Sequence, residues 1–517
     1  MFLMGDWLRN NARRNPQQEA LVCLKERLTW DELNRSVNRL ANGFQSQGLK
    51  PGDRIAFLVG NCPNAVRLHY AIAKIGCVAV PIMSRSVARE IVHIVNTVSA
   101  TALVTAADHS TPVLQALPQL PSVRLAVGTG ADHKMPLDIA SVISDDESEP
   151  QVEVDPESIC TIQFTSGTTG APKGCMIKHR SRQLARMSEL TLVDYREEDR
   201  AIVFMPIAAG FGSDMLHTHV LRGMTTVLMP RFDAGEMLRL IEAERITVVY
   251  AIESVFDRLL AHENLDKIDW GRVRYFYCSS ATRDLHPGVA RLKQLKTFHA
   301  KIWNAFACAE VGGWSAFLSP EELEAAWVDQ STGRLRSVGR EYLLTNVDCV
   351  DDQGRPVPQG EIGQIVLSAP WIFAGYWGLP EKTAEVLRDG RYYTGDLARK
   401  DADGYVFLEG REKDMIKSGG VSVYPAEIEM VLRGHPKVKE VAVVGVQDAE
   451  WGEKVVACVI PRAPVEEAEL IEFCKRELAG FKTPKAVVFV SDFPRDAAGK
   501  IVKRELREQL TAAHASA

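Results

Sequence analysis

The stretch "ICTIQFTSGTTGAPKGCMIKH", residues 159–179, decides how the chain is read. Its apolar, partly β-branched start, "ICTIQF", reads as a buried strand. The strand opens into Thr165, Ser166, Gly167, Thr168, Thr169, Gly170 and, after Ala171 and Pro172, Lys173 and Gly174. Gly167, Gly170 and Gly174 permit positive φ and let backbone N–H groups approach an anion closely. The four hydroxyls add donors and Lys173 adds a point charge. On these residues alone the segment reads equally as a grip for a polyphosphate and as a polar surface turn. The Walker arrangement fails on spacing: no G-x-x-x-x-G-K is followed by Ser or Thr, and Gly499-Lys500 runs into Ile501.

Outward from this loop, helical and strand patterns alternate. "WDELNRSVNRLANGFQSQG" puts Leu33, Val37, Leu40 and Phe44 on one helical face and ends in glycine. "RIAFLV", "CVAVPI", "TALVT", "AIVFMP", "TTVLMP" and "ITVVYAI" read as strands, with helices over Ala234–Arg245 and Ser254–His262 among those between them. Such alternation indicates an α/β fold with largely parallel sheets. From about Ser337, short strands between turns ("DDQGRPVPQG", "DADGYVF") indicate a β-rich subdomain. The pattern changes again near Gly410–Asp414, and the remaining residues suffice for a small α+β domain with its own core. The expected organisation is a large N-terminal domain, residues 1–411, and a small mobile C-terminal domain, residues 412–517.

A chain of 517 residues is too long for one compact core, which agrees with that division. Apolar residues make up 46% and charged residues 25%, and the net charge is −6. That balance argues against bulk nucleic-acid binding and supplies no basic, membrane-seeking surface. "MFLMGDWLRNNARRNPQQ" has no basic n-region before an apolar core, so no signal peptide is expected, and no apolar run reaches the roughly 18 residues of a membrane span. The ten cysteines form no C-x-x-C and no zinc-spaced cluster; they read as buried, reduced thiols of a cytoplasmic protein.

"TSGTTGAPKG" resembles the signature loop of the adenylate-forming superfamily: acyl-CoA synthetases, luciferases and the adenylation domains of peptide synthetases. Four further matches come in that family's order: "YTGD" at Tyr393–Asp396, "GREKDMIKSGG" from Gly410, "YPAEIE" from Tyr424 and "PRDAAGKIVK" from Pro494. The resemblance spans essentially the whole chain. It implies ATP, Mg²⁺, a carboxylic acid and CoA as partners, with an acyl adenylate formed first and a thioester second. Both halves call for management of negative charge, so fixed donors and cations should dominate.

The same resemblance implies roles for particular residues. Thr165, Ser166, Gly167, Thr168, Thr169, Gly170 and Lys173 would hold the triphosphate. Ser280 and Ala281, in "CSSATRD", would cradle adenine, and Phe306 would contribute to the ATP site. Asp396 would accept from the ribose hydroxyls, and the planar fork of Arg411 would bind ribose and phosphate oxygens. Glu310 would hold Mg²⁺ as a hard oxygen ligand. Lys500 would bridge the incoming carboxylate and the α-phosphate, then withdraw as the small domain pivots on Lys413. Gly419 and Gly420 would then line the passage for the pantetheine arm.

Three departures bear on the acid. The family's Tyr-Gly-x-Thr-Glu is Phe306-Ala307-Cys308-Ala309-Glu310 here, and Ala309 has no hydroxyl to offer phosphate. An aromatic-His pair is replaced by Ala208-Ala209. Glu253 stands where a proline or small residue is common; it reads as a helix cap or ion-pair partner, or as a contact for a polar substrate group. Free CoA is the expected acceptor because no carrier domain is attached. A carrier-protein thiol and, in another class, a catalytically impaired nucleotide sensor are the alternatives. A homodimer, common among relatives, is compatible with the chain but marked by no feature of it.

Overall fold

The computed structural model describes residues 3–165, 172–278, 285–419, 421–448, 451–495 and 501–515. Its first part is built on two large sheets. One has seven strands, in the order Leu137–Asp138, Leu125–Thr129, Ala102–Ala106, Arg54–Leu58, Val78–Pro81, Ile159–Thr165 and Lys173–Lys178. The other has nine and runs from Arg340–Glu341 through Gly313–Leu318, Lys301–Cys308, Tyr275–Cys278, Val248–Ala251, Arg200–Val203, Thr225–Leu228 and Glu19–Cys23 to Glu26–Thr29. The central pairs of both are parallel. Their strands are covered on both faces and so read as unbroken apolar runs: every residue of Val248–Ala251 and Tyr275–Cys278 is buried.

Helices pack on these sheets by one apolar stripe. Trp30–Ser46 starts at Thr29, whose hydroxyl accepts from the Glu32 amide while the Glu32 carboxylate accepts from the Thr29 amide. Its buried stripe includes Leu33, Val37, Leu40 and Phe44, the face read from the periodicity.

Beyond Arg340–Glu341 a smaller antiparallel sheet forms from Asn346–Val350, Gly363–Ser368, Arg391–Lys400 and Leu387–Arg388, with Val406–Arg411 paired to Arg391–Lys400. The remaining chain carries its own sheet of Val421–Val423, Ile416–Ser418, Gly452–Pro461, Val438–Asp448 and Ala486–Phe489. Helices Pro425–Arg433 and Glu467–Glu477 cover one face through a core of Ile416, Ile428, Leu432, Val443 and Leu470. On the other face Leu506 and Leu510 of Lys503–Ala515 pack against Val444, Val456 and Cys458. All ten cysteines are free, and all but the half-buried Cys62 and Cys308 are buried. Among the described residues no helix is long and apolar enough to cross a membrane.

Two local features bear on the site. The first is the pairing on either side of the glycine-rich segment. Strand Ile159–Thr165 returns antiparallel as Lys173–Lys178, with Thr165 opposite Lys173, and the helix His179–Glu189 starts only after that second strand. Lys173 therefore opens the return strand, where cross-strand pairing fixes its backbone. Secondly, Glu253 is the first residue of helix Glu253–Leu260 and Ile252 is its cap, so the cap reading of Glu253 is corrected. The β-branched Ile252 continues the extended strand backbone and turns into the helix without a side-chain cap bond.

Candidate active site

Four segments distant in sequence bring candidate residues together where the large sheets meet the small antiparallel one. In that small sheet Asp396 and Arg411 stand directly opposite each other, and Arg411 Nε lies 2.8 Å from Asp396 Oδ1. Gly395, at φ +73°, precedes the register shift after Leu397 and places Asp396 in a strand rather than a simple turn. Burial works against the Arg411 charge, but Asp396, Tyr392, Asp414 and Glu310 outweigh it and raise its pKa.

Glu310 comes just after strand Lys301–Cys308 and is held at both ends. Its carbonyl accepts from the Phe373 amide at 2.8 Å, and its Oε1 accepts from the Tyr376 hydroxyl at 2.9 Å. Burial, then the Glu310 charge, raises the Tyr376 phenol well above its ordinary value, so it remains a donor. The same ring lies under Lys173, whose Nζ is 4.3 Å from its centre. Cys308 lies within the electrostatic reach of Glu310, Asp396 and Arg411; burial first and Glu310 second keep its thiol protonated. Among the described residues no group of three or more His, Cys, Asp or Glu could hold a metal. One carboxylate suits Mg²⁺, which completes its octahedron with phosphate oxygens and water, so the donor set fits that ion.

The carboxyl ends of the strands in both large sheets are tied together nearby. The Asn61 side chain donates to the carbonyls of Met205 and Met229 and accepts from the Ile207 amide. Gln163 donates to Ala208 O at 2.6 Å, which anchors the Ala208-Ala209 loop to the strand that leads into Thr165. Phe211, in the next helix, is half-buried and meets Tyr277 at 5.3 Å and Tyr250 at 6.4 Å between ring centres. Tyr277 packs on Trp303 at 4.3 Å, and Trp303 on Trp314 at 4.5 Å.

Beneath the Ala208-Ala209 loop lies a buried polar cluster. Arg182 pairs with Asp214, and Arg186 pairs with Glu189 at 2.8 Å and donates to Gly312 O at 2.7 Å. Gly312 is two residues beyond Glu310, so this cluster braces that loop as well. His69, His179 and His217 surround Arg182; burial, then the Arg182 charge, holds His69 and His179 at about 4 and His217 well below its ordinary value. Burial alone brings His219 to about 3.

Thr165, Lys173, Phe306, Glu310, Asp396, Arg411, Lys413 and Gly419 all lie within the described residues. Phe306 is buried at the end of its strand, Lys413 sits in the short turn Glu412–Asp414, and Gly419 has φ +57° with Trp451 beside it. Ser166, Gly167, Thr168, Thr169, Gly170, Ser280, Ala281, Gly420 and Lys500 lie outside the described residues, as does the side chain of Glu253. Sequence reading missed Tyr376, Gln163, Asn61 and the Arg182–Asp214 pair. For Tyr376 the available signal was "FAGYWGLP", a glycine-flanked aromatic just after an apolar run. For the others there was none, because their partners are fixed by sheet packing.

This is the architecture of an adenylate-forming enzyme. The chain belongs to the AMP-binding enzyme family, which it matches over residues 8–377, and residues 427–500 match the AMP-binding enzyme C-terminal domain. It is 35% identical to a feruloyl-CoA synthase of Amycolatopsis sp, over 98% of this chain and 99% of that protein. It is 33% identical to the long-chain-fatty-acid–CoA ligase FadD13 of Mycobacterium tuberculosis, over 98% of this chain and 99% of that protein. An anthranilate CoA ligase solved in complex with anthranoyl-AMP superimposes with TM-score 0.90 at 25% identity, covering 99% of this chain and 98% of that one. The protein is an AMP-forming acid–thiol ligase that uses ATP, Mg²⁺ and CoA to convert a carboxylic acid to its thioester.

Proposed function

We propose that the acid is a compact, planar aromatic carboxylic acid. The observation that carries this reading is the wall of packed rings, Phe211, Tyr277, Tyr250, Trp303 and Trp314, behind the loop Ala208-Ala209. An aryl group gains edge or offset contacts of about 0.5–1.5 kcal/mol each on such rings. Of these rings only Phe211 is part-exposed; Tyr277, Tyr250, Trp303 and Trp314 are buried behind it and hold it in place. A contact with Phe211 favours the aryl acid by about 0.5–1.5 kcal/mol, roughly two- to tenfold in kcat/KM. The feruloyl relative and the anthranilate ligase support an aromatic acid by the acids in their names; the fatty-acid relative is the opposing case.

In this reading the large domain is residues 1–411 and the small domain is residues 412–517. Thr165 to Gly170 and Lys173 hold the phosphates, Ser280, Ala281 and Phe306 take adenine, and Asp396 and Arg411 bind the ribose. Lys500 approaches the acid. The carboxylate oxygen attacks the α-phosphorus, the bond to the β-phosphate oxygen breaks, and pyrophosphate leaves. When bound at Glu310, Mg²⁺ supplies charge neutralisation for the phosphates. The small domain then turns about Lys413, carries Lys500 away and brings Gly419 and Gly420 to the cleft. The CoA sulfur attacks the acyl carbon, its proton passes to solvent, and the acyl–oxygen bond to AMP breaks. Buried reduced thiols fit a cytoplasmic setting, and sedimentation of the purified chain decides between monomer and homodimer.

The test is a panel of acids with ATP and CoA, read by mass spectrometry. Hydroxycinnamic and hydroxybenzoic acids should outperform octanoate and palmitate by the stated factor. Equal turnover of palmitate removes the aromatic reading, and thioester formed only on a carrier protein removes CoA as acceptor.

A further inference from the structure

Tyr376 touches two groups of opposite charge that arrive from different sheets. Its hydroxyl donates to Glu310 Oε1 at 2.9 Å, and its ring face lies 4.3 Å from Lys173 Nζ. We propose that Tyr376 is a positioning residue for the first half-reaction, setting the Glu310 carboxylate for the metal through its hydroxyl and aiming Lys173 toward the nucleotide phosphates through its ring. The proposal rests on the reading of Glu310 as the Mg²⁺ ligand.

The backbone around Tyr376 is fixed for this purpose. Segment 374–377 pairs along the outer edge of strand Lys173–Lys178: Ala374 N donates to Met176 O, Met176 N to Gly375 O, and Trp377 N to Gly174 O, each within 2.9 Å. Cys175 and Tyr376 form an antiparallel bridge, so the tyrosine sits two residues from Lys173 across the pair. Gly375 has φ +118°, and a Cβ there would come within 2.7 Å of the Thr383 side chain, which itself accepts from the Tyr376 amide. The ring is held laterally by Phe373, with centres 5.0 Å apart.

A carboxylate with one oxygen occupied by a fixed phenol leaves the other oxygen aimed, and a neighbour that orients a metal ligand typically contributes 10–100-fold to metal affinity. A cation held over a ring contributes about 0.5–1 kcal/mol at a part-exposed site, or two- to fivefold in binding. Lys173 loses reach and gains direction by resting there, since its flexible stem otherwise samples many rotamers.

The test uses the full chain and two binding measurements that do not depend on turnover. Mn²⁺ affinity in the presence of a non-hydrolysable ATP analogue is read by electron paramagnetic resonance, and metal-free binding of that analogue in EDTA is read by calorimetry. Tyr376→Phe, which keeps the ring and its packing, should weaken Mn²⁺ binding about tenfold and leave metal-free binding unchanged. Tyr376→Leu should add a two- to fivefold loss in metal-free binding, smaller than the loss in Lys173→Met, which removes the ammonium itself. Glu310→Gln is the control for the underlying reading. If Glu310→Gln leaves Mn²⁺ affinity unchanged, the assignment of Glu310 fails. If Glu310→Gln weakens it and Tyr376→Phe does not, Tyr376 has no positioning role toward the metal. Should Tyr376→Leu not fold, the Phe variant alone decides the matter.

Discussion

Lowering the pH from 7.5 to 5 should destabilise the large part of the chain by several kcal/mol. The perturbation acts on four fully buried histidines, His69, His179, His217 and His219. Their folded values are depressed, to about 4, about 4, well below normal and about 3 respectively. An unfolded histidine titrates near 6.5. Between those values the unfolded chain binds more protons, so stability rises with pH there and falls as pH drops through 6.5 toward 4. At pH 5 each histidine removes about 2 kcal/mol, and the four together on the order of 8 kcal/mol, against a typical net stability of roughly 5–15 kcal/mol. The cause is burial first, and for three of the four the nearby Arg182 charge second, so protonating any of those three adds a further buried cation beside the guanidinium. Urea melts monitored by tryptophan fluorescence report on this part, since every tryptophan except Trp451 precedes residue 412. Stability should fall with a slope of about three protons around pH 5.5, because burial raises the Glu189 carboxyl and the folded chain takes up about one proton there that the unfolded chain does not. His219→Gln, which can still bond to Thr226 and Tyr250, should remove about one of them. A flat profile from pH 6.5 to 5, or an unchanged slope in His219→Gln, refutes the reasoning.

The same contacts carry other expectations. Asp214→Asn leaves the guanidinium of Arg182, and part of that of Arg186, buried without its carboxylate, so it should cost about 3–5 kcal/mol, read as a fall in the urea midpoint at pH 7.5. The two half-reactions should separate. Lys500→Ala should lower ATP–pyrophosphate exchange by about 10²–10³ while leaving thioester formation from supplied acyl adenylate intact. Gly419→Ala should do the reverse: exchange stays normal and acyl transfer slows about five- to thirtyfold, because a Cβ at φ +57° is strained by about 1–2 kcal/mol and would sit 3.3 Å from Trp451. Loss of both halves in either variant removes the two-position picture.

The amino-acid sequence by itself determined the layering and the chemistry. Alternating apolar runs and amphipathic helices can bury their surfaces only as parallel sheets with helices outside. The stripe of Leu33, Val37, Leu40 and Phe44 is buried as its spacing requires. "TSGTTGAPKG", "YTGD" and "GREKD" pointed to the chemistry through their resemblance to a family's motifs, since on its residue types alone the first reads equally as a polar surface turn. Tertiary structure alone decided how these pieces meet. The pairing of Asp396 with Arg411 depends on a strand register, and the hold of Tyr376 on Glu310 and Lys173 depends on an edge contact between segments some 200 positions apart. Likewise the buried pair of Arg182 and Asp214 forms only where two helices meet. Local periodicity carries the free energy of burying a face, whereas such pairings are chosen by the whole packed core and leave no periodic trace in the chain.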